Sequence, residues 1–544
     1  MRVRMGTRAS ALAVTAASLV AVAGCATSGT SGAAQADGGR VSIAIPEPHS
    51  LVPTNADETA GSGIDSGLFT GLVTYDRKDA PVLTGLARSI TTQDRRHWRI
   101  RLNSGWTFHN GEPVTTHSFV DAWNYGALAT NGQYASSYYS LIDGYDRVAP
   151  VDAKGNPGHP TAKALRGLKV VDDTTFTVTL TQPDNTFLSQ LAFNAFYPLP
   201  KVAFTDPKAF AQKPIGDGPF QLRQWQHNSS VSLDRYGAYK GEKPHLAGID
   251  YRIYQDMGTA YNDLRSGALD ITTSLPETAY QDRAELGSRY QAFPSSYFAF
   301  IGLPTFDPSL GDVRIRKAIS MSIDRAAITK VVFHGTRTPA DAFVGPSAPG
   351  YRPGSCGATC TYDPTAARAL FDQAGGPSKL KTLRISYNAD GPHKEWVDAA
   401  CNSIANTLQI QCLGTPSPDF PTLMNKMGNA AKTRSPFGAF RLAVTLDYPV
   451  VEDYLTPLYS STGGSNLVGY RNPKVDQLLV RGRAASTSVE AQRLWAQAED
   501  LVAADVPVVP LFFGETVTVR SARVQGLYVD PFEHVDLTAL HVTS

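Results

Sequence analysis

The chain has 544 residues, of which 42% are hydrophobic and 18% are charged, and its formal net charge is +1. This composition is typical of globular proteins, and the length exceeds what one hydrophobic core accommodates, so we expect two or three domains. The near-neutral charge and the lack of any run of basic residues argue against nucleic acid as a partner.

The N-terminus carries the pattern of an export signal. Arg2, Arg4 and Arg8 precede an uncharged, Ala- and Val-rich stretch at residues 9–23, which is too short for a transmembrane helix and is typical of a signal peptide. The stretch ends in Val-Ala-Gly-Cys, which resembles the bacterial lipobox. Cys25 is therefore predicted to receive a diacylglyceryl group and to become the first residue of the mature chain. The alternative is an ordinary signal peptide with an incidental cysteine.

Residues 25–39 follow the signal peptide, residues 1–24, and consist almost wholly of Ala, Gly, Ser and Thr. Such a segment cannot bury enough apolar surface to offset the entropy of ordering it. We expect a flexible tether that reaches roughly 20 Å. The acyl chains on Cys25 would anchor the protein at the outer face of the cell membrane. No later stretch of the sequence is predicted to span a bilayer.

Short strands alternate with helices along the remaining chain, which indicates an α/β protein. Residues 41–45 predict a first strand, and residues 97–102 predict a strand with one buried face. Thr115 or Thr116 can cap a following helix. The apolar face of that helix is predicted to carry Phe119, Ala122 and Trp123.

Three later segments also have the periodicity of helices. Residues 313–319 and 324–328 predict two successive helices, the second capped by Asp324 and stopped by Gly335. A third helix is indicated by a four-residue spacing of apolar side chains at Trp396, Ala400, Ile404 and Leu408.

Four cysteines remain after Cys25, and they form two local pairs, Cys356 with Cys360 and Cys401 with Cys412. Outside the cytosol such pairs are predicted to be disulfides. Zinc ligation is the alternative, because the spacing of the first pair is close to that of zinc ligands. No histidine lies near either pair in the sequence, so we predict no metal site.

The motifs that mark common enzymes are absent from the sequence. We find no Gly-x-Ser-x-Gly elbow, no His-Glu-x-x-His zinc motif and no phosphate-binding P-loop. The sequence therefore predicts neither a catalytic site nor a cofactor. A surface lipoprotein enzyme remains an alternative.

Five blocks of the sequence, in order, resemble the large extracytoplasmic solute-binding proteins of peptide and nickel ABC importers, family 5. The blocks are residues 68–76 (LFTGLVTYD), 98–114 (ending WTFHNGEPV), 216–244 (beginning GDGPF), 313–335 with the later YDP at 362–364, and 469–510 (beginning GYRNPKVD and ending VPVVP). The resemblance implies an α/β, two-lobe periplasmic-binding-protein-like fold (type II, cluster C) with an inserted domain and a hinge that closes on ligand.

The same resemblance implies a division of the chain into three domains. Domain I would comprise residues 40–73, 210–296 and 512–544. The inserted domain II would comprise residues 74–209, and domain III residues 297–511. The protein would act as a monomer that delivers a peptide or peptide-like ligand to the permease subunits of an ABC importer.

The segment that bears most on function is residues 443–449 (AVTLDYP), which resembles the ligand strand of the family. The resemblance implies that the backbone and side chains of Val444, Thr445 and Tyr448 border the ligand, and that Asp447 binds its α-ammonium group. Strand addition through backbone groups accepts many sequences, and a charge-assisted bond fixes where a peptide begins. Alternatively, Asp447 only caps or solvates the loop before Pro449.

On the opposite lobe, Asp57, Glu58 and Thr59 follow a segment that resembles another ligand-facing stretch of the family, and a solvated acidic loop is the alternative. Val444 stands where many peptide binders of the family carry Trp, so the pocket would lose a large apolar wall. Nickel chelates, haem, opines and oligosaccharides therefore remain alternative ligands.

Overall fold

The computed structural model describes residues 35–36, 38–56, 58–151 and 157–543. The strands in these ranges are β1 (Gln35–Ala36), β2 (Arg40–Ile45), β3 (Val73–Tyr75), β4 (Pro81–Leu83), β5 (Ala87–Thr92), β6 (His97–Leu102), β7 (Leu168–Asp172), β8 (Thr175–Thr179), β9 (Phe220–Gln226), β10 (Ser230–Arg235), β11 (Gly248–Ile253), β12 (Ile271–Thr272), β13 (Tyr290–Gly302), β14 (Arg337–Pro339), β15 (Thr382–Asn388), β16 (Gln411–Ser417), β17 (Ala439–Val444), β18 (Val508–Arg520), β19 (Val524–Gln525) and β20 (His541–Thr543).

The α-helices in the same ranges are α1 (Thr59–Leu68), α2 (Thr116–Ala127), α3 (Tyr145–Val148), α4 (Phe187–Gln190), α5 (Val202–Thr205), α6 (Pro207–Gln212), α7 (Met257–Ser266), α8 (Arg283–Leu286), α9 (Val313–Met321), α10 (Arg325–Val331), α11 (Pro364–Gln373), α12 (Gly376–Lys379), α13 (Lys394–Leu408), α14 (Phe420–Thr433), α15 (Glu452–Tyr459), α16 (Pro473–Arg483) and α17 (Ser488–Asp505). None of these described helices is long and apolar enough to cross a membrane.

Within the described residues, eleven strands form one sheet in the order β16-β15-β17-β13-β18-β12-β2-β11-β10-β9, with β14 beside β18. Strands β13 and β18 are 13 residues long and pair with each other along most of their length. Their early and late halves contact different neighbours, so these two strands join the lobes. The predicted borders at 296/297 and 511/512 fall inside them, and the pairing of β13 is interrupted between Pro294 and Phe298.

The inserted part of the chain builds a separate sheet in the order β5-β6-β8-β7. The prediction for residues 97–102 is confirmed, because Trp98, Ile100 and Leu102 of β6 are buried and the residues between them are exposed. Helix α2 begins after Thr115. Its side chains Phe119, Ala122 and Trp123 are completely buried, so the predicted apolar face of this helix is confirmed as well.

Two predictions about element ends were wrong. The predicted tether includes Gln35–Ala36, which the structure places in β1, paired with β20; backbone pairing does not require apolar side chains, so a composition rich in small residues did not exclude it. The prediction that Gly335 stops a helix also differs, because α10 already ends at Val331. Gly335, with a φ of 75°, closes the following turn by donating its N–H to Thr329 O at 3.0 Å.

The signal peptide, the lipidation candidate Cys25 and the tether as far as residue 34 lie outside the described residues, as does Asp57. Both disulfide predictions are confirmed. Cys356 is bonded to Cys360, with Cα atoms 5.6 Å apart, and Cys401 is bonded to Cys412, with Cα atoms 5.0 Å apart. The second bond ties α13 to β16, the strand that follows it.

The buried carboxyl group of Asp217 makes the stability of the fold depend on pH. Its Oδ1 accepts the N–H of Thr70 at 2.9 Å, whereas its buried Oδ2 has no hydrogen-bond partner among the described residues. Burial raises the pKa of Asp217 to about 8. The folded state therefore favours the neutral acid, and the stability that this group contributes falls as pH rises from the ordinary pKa of 3.8 towards 8.

We therefore expect Asp217→Asn to raise the melting temperature, and to raise it more at pH 8 than at pH 5. Thermal unfolding of the wild type and the variant at both pH values measures the difference. Asn keeps an acceptor for the N–H of Thr70 and cannot ionise. A gain that did not change with pH, or a loss that grew with pH, would contradict this explanation.

Candidate functional site

The segment singled out by the sequence consists of β17 and the loop at residues 445–451. Strand β17 pairs with β13 as far as Val444, but it pairs with β15 only through Ala439 and Phe440. Within the described residues, the edge of β17 from Arg441 onward therefore has no strand partner on the β15 side. An extended ligand can add to such an edge through main-chain hydrogen bonds.

Asp447 lies just beyond this edge, with its side chain open to solvent on one side. Tyr138, from a 3₁₀ helix of the inserted domain (Tyr134–Tyr139), donates its hydroxyl hydrogen bond to Asp447 Oδ1 at 2.9 Å. Asp453 Oδ2 accepts the N–H of Asp447 at 2.7 Å, so it is the side chain of Asp453 that stabilises this turn. The surrounding protein raises the pKa of Asp447, and the bond from Tyr138 partly offsets that effect.

The other three residues predicted on this segment have different environments. Val444 is half-buried and Thr445 is exposed, so both can border a ligand in the cleft. Tyr448 is buried, and its hydroxyl donates to Glu452 Oε2 at 3.0 Å. Its side chain therefore supports the loop from behind, and only its backbone remains available to a ligand.

Arg441 is a candidate ligand-binding residue that the sequence analysis missed. It lies on β17, is only 7% exposed, and donates from Nη1 to Asn388 Oδ1 at 2.9 Å. Its buried Nε has no hydrogen-bond partner, and no carboxylate lies within 4 Å of its guanidinium among the described residues. Burial lowers the pKa of Arg441. Asp390 and the hydroxyl of Tyr297 act on this cation without forming an ion pair with it. A buried cation that lacks an ion-pair partner is costly, and a bound anion would offset that cost.

Two more basic side chains lie near Arg441. Burial and the charge of Arg441 lower the pKa of His393 to about 4, so this imidazole is neutral at physiological pH. The guanidinium of Arg337 lies 6.0 Å from the ring centroid of Tyr297, and the hydroxyl of Tyr297 also interacts with Arg441. This end of the site therefore carries the two guanidinium groups with Asp390 close by, whereas the end at Asp447 is acidic.

A cavity of about 620 Å³ opens beside β2 and β18. This volume is in the range of small-molecule sites. Its walls include two residues predicted from the sequence, Glu58 and Thr59, together with Arg337, Glu515 and His534. Asp447 is not among its lining residues. In the part of the chain that the structure describes, no three His, Cys, Asp or Glu side chains gather as metal ligands.

Glu58 lines this cavity but also caps α1. Its carboxylate accepts hydrogen bonds from the backbone N–H groups of His49, Ala60 and Gly61 at 3.0, 2.7 and 2.8 Å. The acidic residue is thus part of a helix N-terminus, where a negative charge is favourable, and it is not free to ion-pair without breaking that cap. Thr59 is exposed and is the first residue of the helix.

Two adjacent serines of β13 connect the cavity to the Asp447 loop. Ser295 Oγ donates to Glu533 Oε1, in the cavity wall, at 3.3 Å. Ser296 Oγ accepts the N–H of Leu446, the residue before Asp447, at 3.2 Å. Both serines are buried at the interruption of the β13 pairing, so the cavity and the loop meet where the two lobes join.

This arrangement defines a cleft between two lobes that carries an acidic end, a positive end and an open strand edge. Residues 82–466 match the family described as bacterial extracellular solute-binding proteins, family 5 Middle, and the chain belongs to that family.

Similar proteins of known name agree with this family. The chain is 24% identical over 501 residues to the oligopeptide-binding protein OppA of Bacillus subtilis, covering 88% of each chain. It is 26% identical over 454 residues to the dipeptide-binding protein DppE of the same organism, covering 80% of this chain and 79% of DppE. The fold is similar to MppA, a periplasmic murein tripeptide binding protein in its unliganded open form, with a TM-score of 0.82 at 22% identity over 94% of this chain and 99% of MppA.

Proposed function

We propose that this protein is the lipid-anchored, extracytoplasmic substrate-binding subunit of an ABC importer and that it captures short peptides. The ligand's ammonium group binds at Asp447, its main chain adds to the open edge of β17, and its carboxylate binds at Arg441. The observation that carries this proposal is the presence of opposite charges, neither in an ion pair among the described residues, at the two ends of one strand edge.

The chemistry of a free peptide matches this arrangement. An extended peptide has one cationic end and one anionic end, separated by backbone groups that can pair with a strand. Closure of the cleft removes water, which strengthens both charge-assisted bonds. The names of the relatives support the same ligand class, because they are an oligopeptide-, a dipeptide- and a murein tripeptide-binding protein.

One group of described side chains, a Ser–His–Asp arrangement, bears on the alternative of a surface enzyme. Ser62 Oγ lies 2.8 Å from His534 Nε2, and His534 Nδ1 lies 3.5 Å from Asp530 Oδ2. However, the Ser62 hydroxyl has a carbonyl acceptor, Glu58 O, at 3.0 Å. Burial lowers the pKa of His534, but the charges of Asp530, Glu533 and Glu58 outweigh it and raise the pKa. A raised pKa favours the imidazolium form, which donates to Ser62 and cannot act as the base that a serine nucleophile needs. The arrangement supports a structural ion pair.

The ligand class can be tested without choosing a peptide in advance. The protein is purified under native conditions, washed and denatured, and the released small molecules are identified by mass spectrometry. The proposal predicts peptides with free amino and carboxyl ends. Consistent recovery of a metal chelate, a haem or an oligosaccharide would support one of the alternative ligand classes and contradict the peptide assignment.

The membrane anchor makes a separate prediction that depends on Cys25. Cys25→Ser removes the thiol that would be acylated, so we expect the protein to be released into the medium or to accumulate as an unprocessed precursor. Membrane fractionation and intact-mass measurement distinguish these products from the anchored wild type. Cys356→Ser is the matched control, since it removes a cysteine that forms a disulfide and should leave attachment unchanged. A fully processed Cys25→Ser protein that stays on the membrane would refute the lipobox assignment.

A further inference from the structure

Four carboxyl groups lie where the inserted domain meets the ligand strand: Asp184, Asp447, Glu452 and Asp453. Among the described residues, only Arg483 forms an ion pair with any of them. Its Nη2 and Nε bind Glu452 Oε1 at 2.6 and 2.7 Å, and its Nε lies 4.0 Å from Asp184 Oδ2. The side chains of Asp184 and Glu452 are completely buried. The positive charge of Arg483 therefore compensates the carboxyl groups of Asp184 and Glu452.

Asp447 and Asp453 form the remaining pair, and no cation lies within 4 Å of either in the described ranges. Asp453 Oδ2 accepts the backbone N–H groups of Asp447 and Tyr448 at 2.7 and 3.5 Å, which holds the two carboxyl groups on one short loop. Asp447 stays open to solvent on one side, but the surrounding protein partly desolvates both carboxyl groups and raises the pKa of each, and the charge of Asp447 raises that of Asp453 further. Two like charges in such a setting do not ionise together readily. The ligand-free pair therefore holds a proton more readily than an isolated carboxyl group does.

The neighbouring titratable groups do not remove this proton. Burial raises the pKa of the phenols of Tyr75 and Tyr448, so both stay neutral. The phenol of Tyr138 donates a hydrogen bond to Asp447 and adds no charge. Burial also raises the pKa of Asp184, to about 6, but this carboxyl group faces Arg483. Among these four carboxyl groups, Asp184 is therefore the alternative source of a released proton. A variant of Asp184 distinguishes this source from the Asp447–Asp453 pair.

Resting on the proposed function, we propose that capture of a ligand ammonium at Asp447 expels a proton from the Asp447–Asp453 pair, so that binding tightens as pH rises. The ammonium supplies the positive charge that the pair lacks, and both carboxylates can then ionise. The O–H bond of the protonated carboxyl group breaks, its electron pair stays on the oxygen, and the proton passes to the buffer. No other covalent bond forms or breaks.

The sign of the pH dependence follows directly. Binding lowers the pKa of the pair, because a cation beside a carboxylate favours its charged form. Between the pKa values of the complex and of the free protein, affinity rises by up to about tenfold per pH unit. The amino group of a free peptide has a pKa of about 8, so below about pH 6.5 the ligand itself stays protonated and contributes no proton.

Proton release is measured by calorimetry on the full-length protein at about pH 6, with one tripeptide in two buffers of different ionisation enthalpy. We expect the apparent binding enthalpy to differ between the buffers by an amount that corresponds to a net release of up to one proton. Asp453→Asn should abolish the difference while the peptide still binds. Asp184→Asn should retain it, and so should Asp363→Asn, the matched control at the N-cap of α11.

The outcomes separate this inference from the proposed function. Equal enthalpies in the two buffers, with clear binding, would overturn proton release and leave peptide capture intact. Loss of the difference in Asp184→Asn but not in Asp453→Asn would also overturn the inference, because the proton would then come from the Arg483 site. No heat of binding and no thermal shift with any free peptide would contradict the proposed function itself. If Asp453→Asn fails to fold, the pH dependence of wild-type affinity between about pH 5 and 6.5 decides, and a flat profile overturns the inference.

Discussion

Asp447→Asn should weaken the binding of a free-amine peptide roughly 10- to 100-fold, and it should leave the already weak binding of the N-acetylated peptide nearly unchanged. The variant loses a charge-assisted hydrogen bond that contributes about 1.5–3 kcal/mol, and about 1.4 kcal/mol corresponds to a tenfold change in affinity. The ammonium would also be left desolvated without an anionic partner. Calorimetry with the two forms of one peptide measures both effects.

Asp363→Asn serves as the control for this substitution, since it makes the same chemical change at the N-cap of α11, where Asn caps as well as Asp. Its affinity for both peptides should equal that of the wild type. If the wild type bound free and acetylated peptides equally, Asp447 would not be the residue that binds the ligand's ammonium group.

The second large effect is expected at the opposite end of the strand edge. Arg441→Met should weaken a peptide with a free carboxylate by roughly tenfold or more and should change the binding of the C-terminally amidated peptide much less. The bond that is lost is again a charge-assisted one. The variant loses the bond to Asn388 Oδ1 but also removes a buried cation that has no ion-pair partner among the described residues, and replacing such a charge by an apolar side chain is often neutral or stabilising, so we expect no loss of stability in the ligand-free protein.

The combination of weaker binding and unchanged or higher stability is the signature of a ligand-binding charge. A thermal scan of ligand-free Arg441→Met together with the two titrations supplies both readouts. Arg325→Met is the contrasting variant: its buried guanidinium donates to Pro510 O, Ser320 O and Cys360 O, so its loss should destabilise the fold. A marked loss of stability in Arg441→Met, with equal losses for both peptides, would assign Arg441 a purely structural role.

Sequence patterns predicted those structural features that depend on residues close together in the chain. The strand at His97–Leu102 alternates apolar and polar residues, and the structure buries every second one. Each pair of cysteines lies close along the chain, with separations of 4 and 11 residues, and each forms a disulfide. Asp447 stood out because the family motif around it is contiguous.

The remaining parts of the candidate site depend on contacts between distant residues. Tyr138 reaches Asp447 across 309 positions of the sequence, and Arg441 binds Asn388 across 53. Arg441 did leave one local signal, because a charged residue inside the apolar run of β17 is unusual for a strand of this kind. Arg483 left none, since an arginine near the C-terminus of a helix is ordinary.

The predicted domain borders stay a prediction. The borders at 296/297 and 511/512 lie inside β13 and β18, which continue through those positions. The pairing of β13 with β18 changes register between Pro294 and Phe298, at the first of these borders. That pairing is a property of two segments more than 200 residues apart in the chain.

The most direct test of peptide capture uses the wild-type protein and four forms of one tripeptide: free, N-acetylated, C-amidated and modified at both ends. Calorimetry measures the dissociation constant of each. With an ammonium site at Asp447 and a carboxylate site at Arg441, the free peptide binds most tightly, each modification weakens binding by roughly tenfold or more, and the doubly modified peptide binds weakest. Equal affinities for all four forms, or no binding of any of them, would contradict the assignment of the two ends of the strand edge to the two ends of a peptide.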